Sequence, residues 1–244
     1  MPQQGSPTAL WTLVLPVQRG DRAKSRLLVP GVEHAALARA IALDCLAAVR
    51  SCPAVRHRIV VTSDEVVAAA ATAAGDVVIS DDEARPGADD ANGPGPDHTG
   101  GLGAALGAGL AHAERRYGDG RVAVLLADLP ALTPGDLQIA LAAARHHRLA
   151  FVADADGTGT VLLAGRARGP MPFAFGPGSA ARHESLGAVR LDLDLARLRR
   201  DVDTLQDLLS AAVLGLGRRT RVLLARAGEP LSASGGVDRG AAAH

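Results

Sequence analysis

The strongest constraint on the fold of this chain is a regular alternation of short apolar runs with amphipathic stretches. The runs predicted as strands cover residues 13–17, 59–62, 77–79, 122–126, 151–153 and 160–164. The stretches predicted as helices cover residues 34–50, 65–74, 102–116 and 204–214, and a further helix begins after Thr133, a suitable N-cap, at Pro134. Strands that lack a polar face are typical of a mainly parallel sheet covered on both sides. The alternation therefore predicts a three-layer, doubly wound α/β fold.

Length and composition limit both the domain organisation and the class of function. The 244 residues predict one domain over 1–226, with a mobile loop at 81–101 and a disordered tail at 227–244. Equal numbers of basic and acidic residues, 26 of each, and an aromatic content of 2% argue against nucleic-acid binding. Apolar runs are too short for a membrane span, and residues 1–9 lack the basic start of a signal peptide. Cys45 and Cys52 are predicted to be reduced core thiols, which favours a cytoplasmic location.

A basic loop follows the first predicted strand. It contains Arg19, Arg22, Lys24 and Arg26, and Lys24 is the single lysine of a chain that otherwise uses arginine. Such a loop at the carboxyl end of a strand is placed to hold a polyphosphate, and a compact ammonium differs in geometry from a guanidinium fork. The alternative is an ordinary solvated basic loop.

Two carboxylates mark a candidate metal site. Asp128 follows the buried strand 122–126 after one alanine, and Asp201 precedes the helix predicted at 204–214. Mg²⁺ in proteins takes one or two carboxylates together with substrate phosphates, so the pair predicts metal-assisted phosphoryl or nucleotidyl transfer. Asp128 could instead be a turn or cap residue, whereas Asp203 or Thr204 suits the cap of the following helix better than Asp201 does.

Two loops of small residues complete the set of candidates. Residues 154–160 follow a strand and offer amides and hydroxyls to an anion, and residues 175–183 run into a helix with Ser179 near its positive end. Each loop could also be a simple turn. His183 is a possible general base, although a structural or substrate-contact role is the favoured interpretation.

Several short motifs in this order resemble a known enzyme family. The matching stretches are Ala-Lys-Ser-Arg-Leu at 23–27, residues 127–132, Gly-Thr-Gly-Thr at 157–160, residues 175–183 and residues 201–207. Together they cover most of the chain from about residue 12 to residue 220, and they resemble the 2-phospho-L-lactate or phosphoenolpyruvate guanylyltransferases of coenzyme F-420 biosynthesis.

The resemblance implies a fold similar to nucleotide-diphospho-sugar transferases and an activity that uses GTP and Mg²⁺. It implies that Asp128 and Asp201 are metal ligands and that Lys24 and Arg26 contact the nucleotide phosphates, with Lys24, Asp128 and Asp201 forming the catalytic set. It further implies an acceptor site at Thr160, Gly176 and Ser179. Phosphoenolpyruvate is the acceptor expected for this chain.

The chain departs from the family pattern at two positions. Gln18 stands where members usually have lysine, and Gly103 stands where they have asparagine after Leu102. Both departures put a contact with the nucleotide in question. Alternative functions are therefore the same chemistry on 2-phospho-L-lactate, 3-phosphoglycerate or molybdopterin, or a non-catalytic GTP-binding domain.

Overall fold

A computed structural model describes residues 10–19, 26–81, 101–118, 120–166 and 171–228. Lys24, the predicted loop between residues 82 and 100 and the tail beyond residue 228 lie outside the described residues. The described strands are β1 (Trp11–Pro16), β2 (Val55–Val61), β3 (Val77–Ile79), β4 (Arg121–Leu125), β5 (Leu149–Ala153), β6 (Thr160–Arg166) and β7 (Val189–Arg190). The described helices are α1 (His34–Arg50), α2 (Glu65–Ala73), α3 (Gly101–Tyr117), α4 (Pro134–Ala144), α5 (Ser179–Ser185), α6 (Ala196–Arg199), α7 (Leu205–Leu214) and α8 (Arg218–Arg226).

The described strands form one sheet in the order β3-β2-β1-β4-β6-β5-β7. Strand β1 pairs in parallel with β2 and β4, β2 with β3, and β5 with β7. Strand β6 runs antiparallel to both β4 and β5. Only residues 154–159 join β5 to β6, and that is too short for the crossover that a parallel pair requires. The mainly parallel sheet that the sequence predicts is confirmed, with one reversed strand.

Side chains alternate between two apolar layers along the central strand β1. Leu13 and Leu15 pack in a cluster with Leu46 of α1 and Leu141 of α4, whereas Val14 belongs to a cluster on the opposite face that includes residues of α3 and α5. A third cluster joins α1, α7 and α8. Helices therefore cover both faces of the sheet, which confirms the three-layer arrangement.

Local signals fix several element ends where the sequence predicts them. Thr133 accepts a hydrogen bond from the N–H of Asp136 and caps α4, with Pro134 in its first turn. Cys45 and Cys52 are buried free thiols, as predicted. No helix in the part of the chain that the structure describes has the length and apolar character needed to cross a bilayer.

Helix α8 and helix α6 have no counterpart among the predicted elements. Helix α8 begins after Gly217, which supplies no capping side chain. Its first amides are bound instead by Asp44 of α1, whose carboxylate accepts hydrogen bonds from the N–H groups of Arg219 and Thr220 at 2.9 and 2.8 Å. A helix whose cap lies 175 residues earlier in the chain has no local signal for its beginning.

Candidate active site

The carboxyl ends of the parallel strands bring the candidate site residues to one edge of the sheet. Asp128 lies three residues beyond the end of β4. The N–H of Leu126 donates to the carbonyl oxygen of Val161 at 3.0 Å, which places the first residue of β6, Thr160, beside the segment that leads to Asp128. Ligands bind at this edge in open α/β sheets, and the strand order here therefore assembles a site from β4 and β6.

Asp201 lies close to Asp128 although 73 residues separate them in the chain. The N–H of Val202 donates to the carbonyl oxygen of Asp128 at 3.1 Å and holds the two segments together. Burial raises the pKa of Asp201 to about 7, and the negative charges of Asp128, Asp203 and Asp154 add to that effect. The structure thus brings the two predicted carboxylates together, in surroundings that disfavour their combined negative charge.

Asp128 also influences the apolar core behind the sheet edge. Burial raises the pKa of the Cys45 thiol, and the charge of Asp128 raises it further. The thiol lies 3.8 Å from the carbonyl oxygen of Leu126. The carboxylate of Asp128 therefore borders the apolar core, and Coulomb interactions are strong in such surroundings of low polarity.

A cavity of about 200 Å³ opens beside Asp128. Its lining combines the end of β1, two alanines of α1, the first turn of α3 and the segment after β4, namely Pro16, Val17, Gln18, Ala38, Ala42, Leu102, Leu126, Ala127, Asp128 and Asp203. Gln18, one of the two departures from the family pattern, lines this cavity, and Leu102 next to Gly103 does so too. The lining combines two carboxylates with Gln18 and apolar side chains, which suits a flat ring attached to a charged group.

The carboxylates of this edge fit a hard divalent cation. Among the described residues there is no group of three or more histidine, cysteine, aspartate or glutamate side chains able to hold a metal ion. Mg²⁺ does not require such a group, because it usually keeps several waters and takes one or two carboxylates with substrate phosphates. The charges that raise the pKa of Asp201 are the ones a cation would balance.

The three residues of the predicted acceptor site meet around the first turn of α5. Ser179 begins this helix, and its N–H donates to the carbonyl oxygen of Gly176 at 3.0 Å. The N–H of Ala180 donates to the carbonyl oxygen of Thr158 at 3.0 Å, which ties the helix to the segment before Thr160. Thr160 and Ser179 are only 3% and 1% exposed, whereas Gly176 is exposed with φ 111°. The structure assembles the three residues, and their roles stay predictions.

The loop before Thr160 differs from its predicted role as an anion cradle. The carboxylate of Asp154 accepts hydrogen bonds from the N–H groups of Thr158 and Gly159 at 3.0 and 2.7 Å. Those amides already have an anionic partner within the loop, so the interpretation that they are offered to a ligand is wrong. Asp154 instead adds its negative charge near Asp201.

His183 does not present a nitrogen to the cavity. The N–H of Ala174 donates to Nε2 at 2.9 Å, and Nδ1 lies 2.9 Å from Oγ1 of Thr160. Burial lowers the pKa of His183 to about 4, and the charge of Arg182 lowers it further. A buried neutral ring with both nitrogens engaged is not placed as a general base, which leaves a structural or substrate-contact role for this residue.

The remaining candidates are a helix cap, a residue of the cavity lining and an exposed arginine. Thr204 caps α7 in a reciprocal arrangement with Asp207, as expected for that position. Asp203 is not the cap and lines the cavity instead, a role that its spacing of two residues from Asp201 could have suggested. Arg26 lies in an exposed turn, and its phosphate contact stays a prediction.

Comparison of the sequence with known proteins identifies the family of this chain. No protein-family model matches the chain. The chain is 45% identical over 220 residues to the phosphoenolpyruvate guanylyltransferase of Salinispora arenicola, a match that covers 88% of this chain and 94% of the relative. It is also 45% identical over 219 residues to the phosphoenolpyruvate guanylyltransferase of Streptomyces scabiei, covering 88% of this chain and 96% of the relative.

Solved structures share the fold at low sequence identity. A nucleotide-diphospho-sugar transferase from Desulfovibrio desulfuricans aligns with TM-score 0.56 and 17% identity over 89% of this chain and 97% of its own. A nucleotidyl transferase from Methanothermobacter aligns with TM-score 0.50 and 20% identity over 82% and 95% of the two chains. The relatives at 45% identity show the family, and the fold agrees with it: the chain belongs to the phosphoenolpyruvate guanylyltransferase family of nucleotidyltransferases.

Proposed function

We propose that this protein transfers the guanylyl group of GTP to the phosphate of phosphoenolpyruvate, with Mg²⁺, in coenzyme F-420 biosynthesis. The observation that carries the proposal is the meeting of Asp128 and Asp201 at the carboxyl edge of the sheet, beside a cavity and next to Thr160. The names of the relatives from Salinispora and Streptomyces support the choice of nucleotide and acceptor.

The acceptor serves as its own nucleophile in this reaction. A phosphate monoester has a second pKa of about 6 and is largely dianionic at neutral pH. One of its oxygens attacks the α-phosphorus of GTP, the bond from that phosphorus to the bridging oxygen of the β-phosphate breaks, and pyrophosphate leaves. No proton has to be removed, which agrees with the state of His183, a buried histidine whose two ring nitrogens both have hydrogen-bond partners.

Asp128 and Asp201 are the residues that would hold Mg²⁺. When bound, the ion neutralises phosphate charge and polarises the phosphoryl group under attack. Bringing two anions together is the main difficulty of this reaction, so the protein's contribution is alignment and charge compensation.

Positively charged and hydrogen-bond-donating groups of the chain complete the site. Lys24 and Arg26 would contact the triphosphate, and Thr160, Gly176 and Ser179 would position the acceptor through hydroxyl and amide donors. Gln18, where the family pattern has lysine, removes one positive charge from the cavity lining. We expect this to appear in the affinity for GTP rather than in the choice of acceptor.

The test is to incubate the purified protein with GTP, Mg²⁺ and equimolar phosphoenolpyruvate, 2-phospho-L-lactate and 3-phosphoglycerate, and to identify products by mass spectrometry. The expected result is pyrophosphate release and a guanylylated diphosphate of phosphoenolpyruvate as the main product. A dominant product from another acceptor would retain the chemistry and replace the substrate. GTP binding without pyrophosphate release on any acceptor would instead establish a non-catalytic GTP-binding domain.

A further inference from the structure

The imidazole of His183 is a completely buried ring at the centre of the predicted acceptor site. Its exposed fraction is 0%, and the rings of Phe175 and Phe151 lie at centroid distances of 5.1 and 5.9 Å. Its Nε2 accepts the N–H of Ala174 at 2.9 Å, and its Nδ1 lies 2.9 Å from Oγ1 of Thr160. The ring therefore connects the loop that leads to Gly176 with the first residue of β6.

These two contacts determine which nitrogen carries the proton. A nitrogen that accepts a backbone N–H has no proton of its own, so Nε2 is unprotonated. The neutral imidazole then carries its single proton on Nδ1, and that proton is donated to Oγ1 of Thr160. Burial, with Arg182 adjacent, lowers the pKa of His183 to about 4, so the ring is neutral at physiological pH.

The proton on Nδ1 of His183 also determines the direction in which the Thr160 hydroxyl can donate. Since Oγ1 accepts a hydrogen bond from His183, its own O–H is directed to a different acceptor. We propose that His183 is a positioning residue that makes the Thr160 hydroxyl a hydrogen-bond donor toward an anionic oxygen of the acceptor substrate. This inference rests on the acceptor site of the proposed function and assigns the direction of its central hydrogen bond.

Arg182 fixes the same loop from the neighbouring position of α5. Its guanidinium donates to the carbonyl oxygen of Ala174 at 3.0 and 3.2 Å and to that of Phe175 at 3.2 Å. Ala174 is thus held through its carbonyl by Arg182 and through its N–H by His183. Because the carbonyls of this loop point toward Arg182, the ring of His183 has a rigid partner on its Nε2 side, and the tautomer is fixed by the backbone rather than by solvent.

Two amide substitutions separate the two sides of the ring. In His183→Gln the side-chain amide reaches the position of Nε2 and can still accept from Ala174, but the donor to Thr160 is lost. In His183→Asn the side-chain amide stands near Nδ1 and can still donate to Thr160. We expect His183→Gln to raise the KM for phosphoenolpyruvate by about 10-fold or more with little change in the KM for GTP, the size expected for a hydrogen bond to a charged group. We expect His183→Asn to raise it less.

A double-mutant cycle with Thr160→Val tests whether His183 acts through Thr160. Thr160→Val alone should raise the KM for phosphoenolpyruvate, and adding His183→Gln should raise it little further. Equal effects of His183→Gln and His183→Asn, or independent effects of His183→Gln and Thr160→Val, would show a merely structural residue. If Thr160→Val leaves this KM unchanged, the acceptor site of the proposed function is wrong, and the positioning role falls with it.

The proton position has a readout that needs no activity. Long-range ¹H–¹⁵N correlation spectra of the ¹⁵N-histidine-labelled protein distinguish the two neutral tautomers, and His183 is identified by the resonance that shifts in Thr160→Val. The expected result is a proton on Nδ1 that persists across neutral pH. A proton on Nε2, or a ring that is charged at pH 7, would overturn the inference even if the histidine variants fail to fold.

Discussion

Aspartates of this protein lie in two kinds of surroundings. Asp44 and Asp76, away from the carboxyl edge of the sheet, are buried against hydrogen-bond donors. Asp76 accepts from Arg50 at 2.7 and 2.9 Å and also pairs with Arg58. Asp44 accepts two backbone amides of α8. Each of these carboxylates therefore has its compensating charge or dipole within the chain.

Asp201, at the carboxyl edge of the sheet, has a different electrostatic environment. Asp128, Asp203 and Asp154 all act on Asp201 as like charges, and its pKa rises to about 7 as a result of burial and of those neighbours. A buried charge is tolerated in a fold when it is paired, and a carboxylate whose pKa is raised by neighbouring like charges in a cleft is a candidate for binding a cation. We propose that this difference separates carboxylates that stabilise the fold from a carboxylate kept for the reaction.

The largest expected effect is on turnover, from Asp128→Asn. The amide keeps the shape of the side chain but binds a divalent cation poorly, so kcat for pyrophosphate release should fall by more than about 100-fold. The midpoint of urea unfolding should change little, because the amide keeps the size and shape of the carboxylate. Steady-state kinetics with GTP, Mg²⁺ and phosphoenolpyruvate, together with urea titration, measure both quantities.

Asp192→Asn is the matched control for Asp128→Asn. The Asp192 side chain is 91% exposed, and its carboxylate lies 3.7 Å from the guanidinium of Arg190. The control substitution should leave both kcat and stability unchanged. Near-normal turnover of Asp128→Asn would show that Asp128 is not a metal ligand. The contrast between the two kinds of aspartate would then carry no information about function.

Next in size is a loss of stability from Asp76→Ala. The substitution leaves Arg50 and Arg58, both partly buried, next to each other without the carboxylate between them. The free energy of unfolding should fall by about 3 kcal/mol, within the range for breaking a buried ion pair from one side. The KM and kcat of the folded enzyme should stay as they are. A variant that unfolds normally but turns over slowly would contradict the assignment of Asp76 to the fold.

The same contrast explains what could be predicted from the sequence. The sequence predicts Asp128 because an acidic residue shortly after an apolar strand is a local pattern. It also predicts the bounds of α1, because the periodicity of that helix is continuous. The antiparallel direction of β6 follows from the short loop that precedes it, which is also a local signal. The sequence does not predict the hydrogen-bond partners of the other aspartates. Asp44 contacts α8 only in the folded domain, because the two segments are far apart in the chain. Asp154 binds the amides of residues 158 and 159 through a turn geometry that the residue types alone do not specify.

A smaller loss of stability is expected from Asp44→Ala. Removing the carboxylate leaves the first amides of α8 without their cap, which costs about 1–2 kcal/mol. Asp44→Asn should be intermediate, because one of its two acceptors remains. Gly217→Ala gives a second approach to the same contact, since an added Cβ would collide with the Asp44 carboxyl group. Chemical denaturation measures all three variants, and α8 should be the element that loses amide-exchange protection first. Equal protection of α8 in Asp44→Ala and the unsubstituted protein would show that the cap does not stabilise the helix.

The smallest expected effect has the opposite sign and comes from Asp201→Asn in the absence of metal. The pKa of Asp201 is raised in the folded protein, so the ionised carboxylate destabilises the fold at every pH above its unfolded-state pKa, and most strongly once pH exceeds about 7. Replacing it with a neutral amide should therefore stabilise the chelator-treated protein by about 1 kcal/mol at pH 8, while turnover with Mg²⁺ falls. The measurement is thermal or urea unfolding at pH 8 with a chelator, and the exposed Asp192→Asn variant should show no gain.

If Asp201→Asn destabilised the metal-free protein, Asp201 would have to be bound by donors of the chain, as Asp44 and Asp76 are, and a cation would not be needed to balance its charge. A gain in stability combined with a loss of turnover is the result that only a carboxylate kept for a ligand produces, because a carboxylate kept for the fold loses stability when it is neutralised.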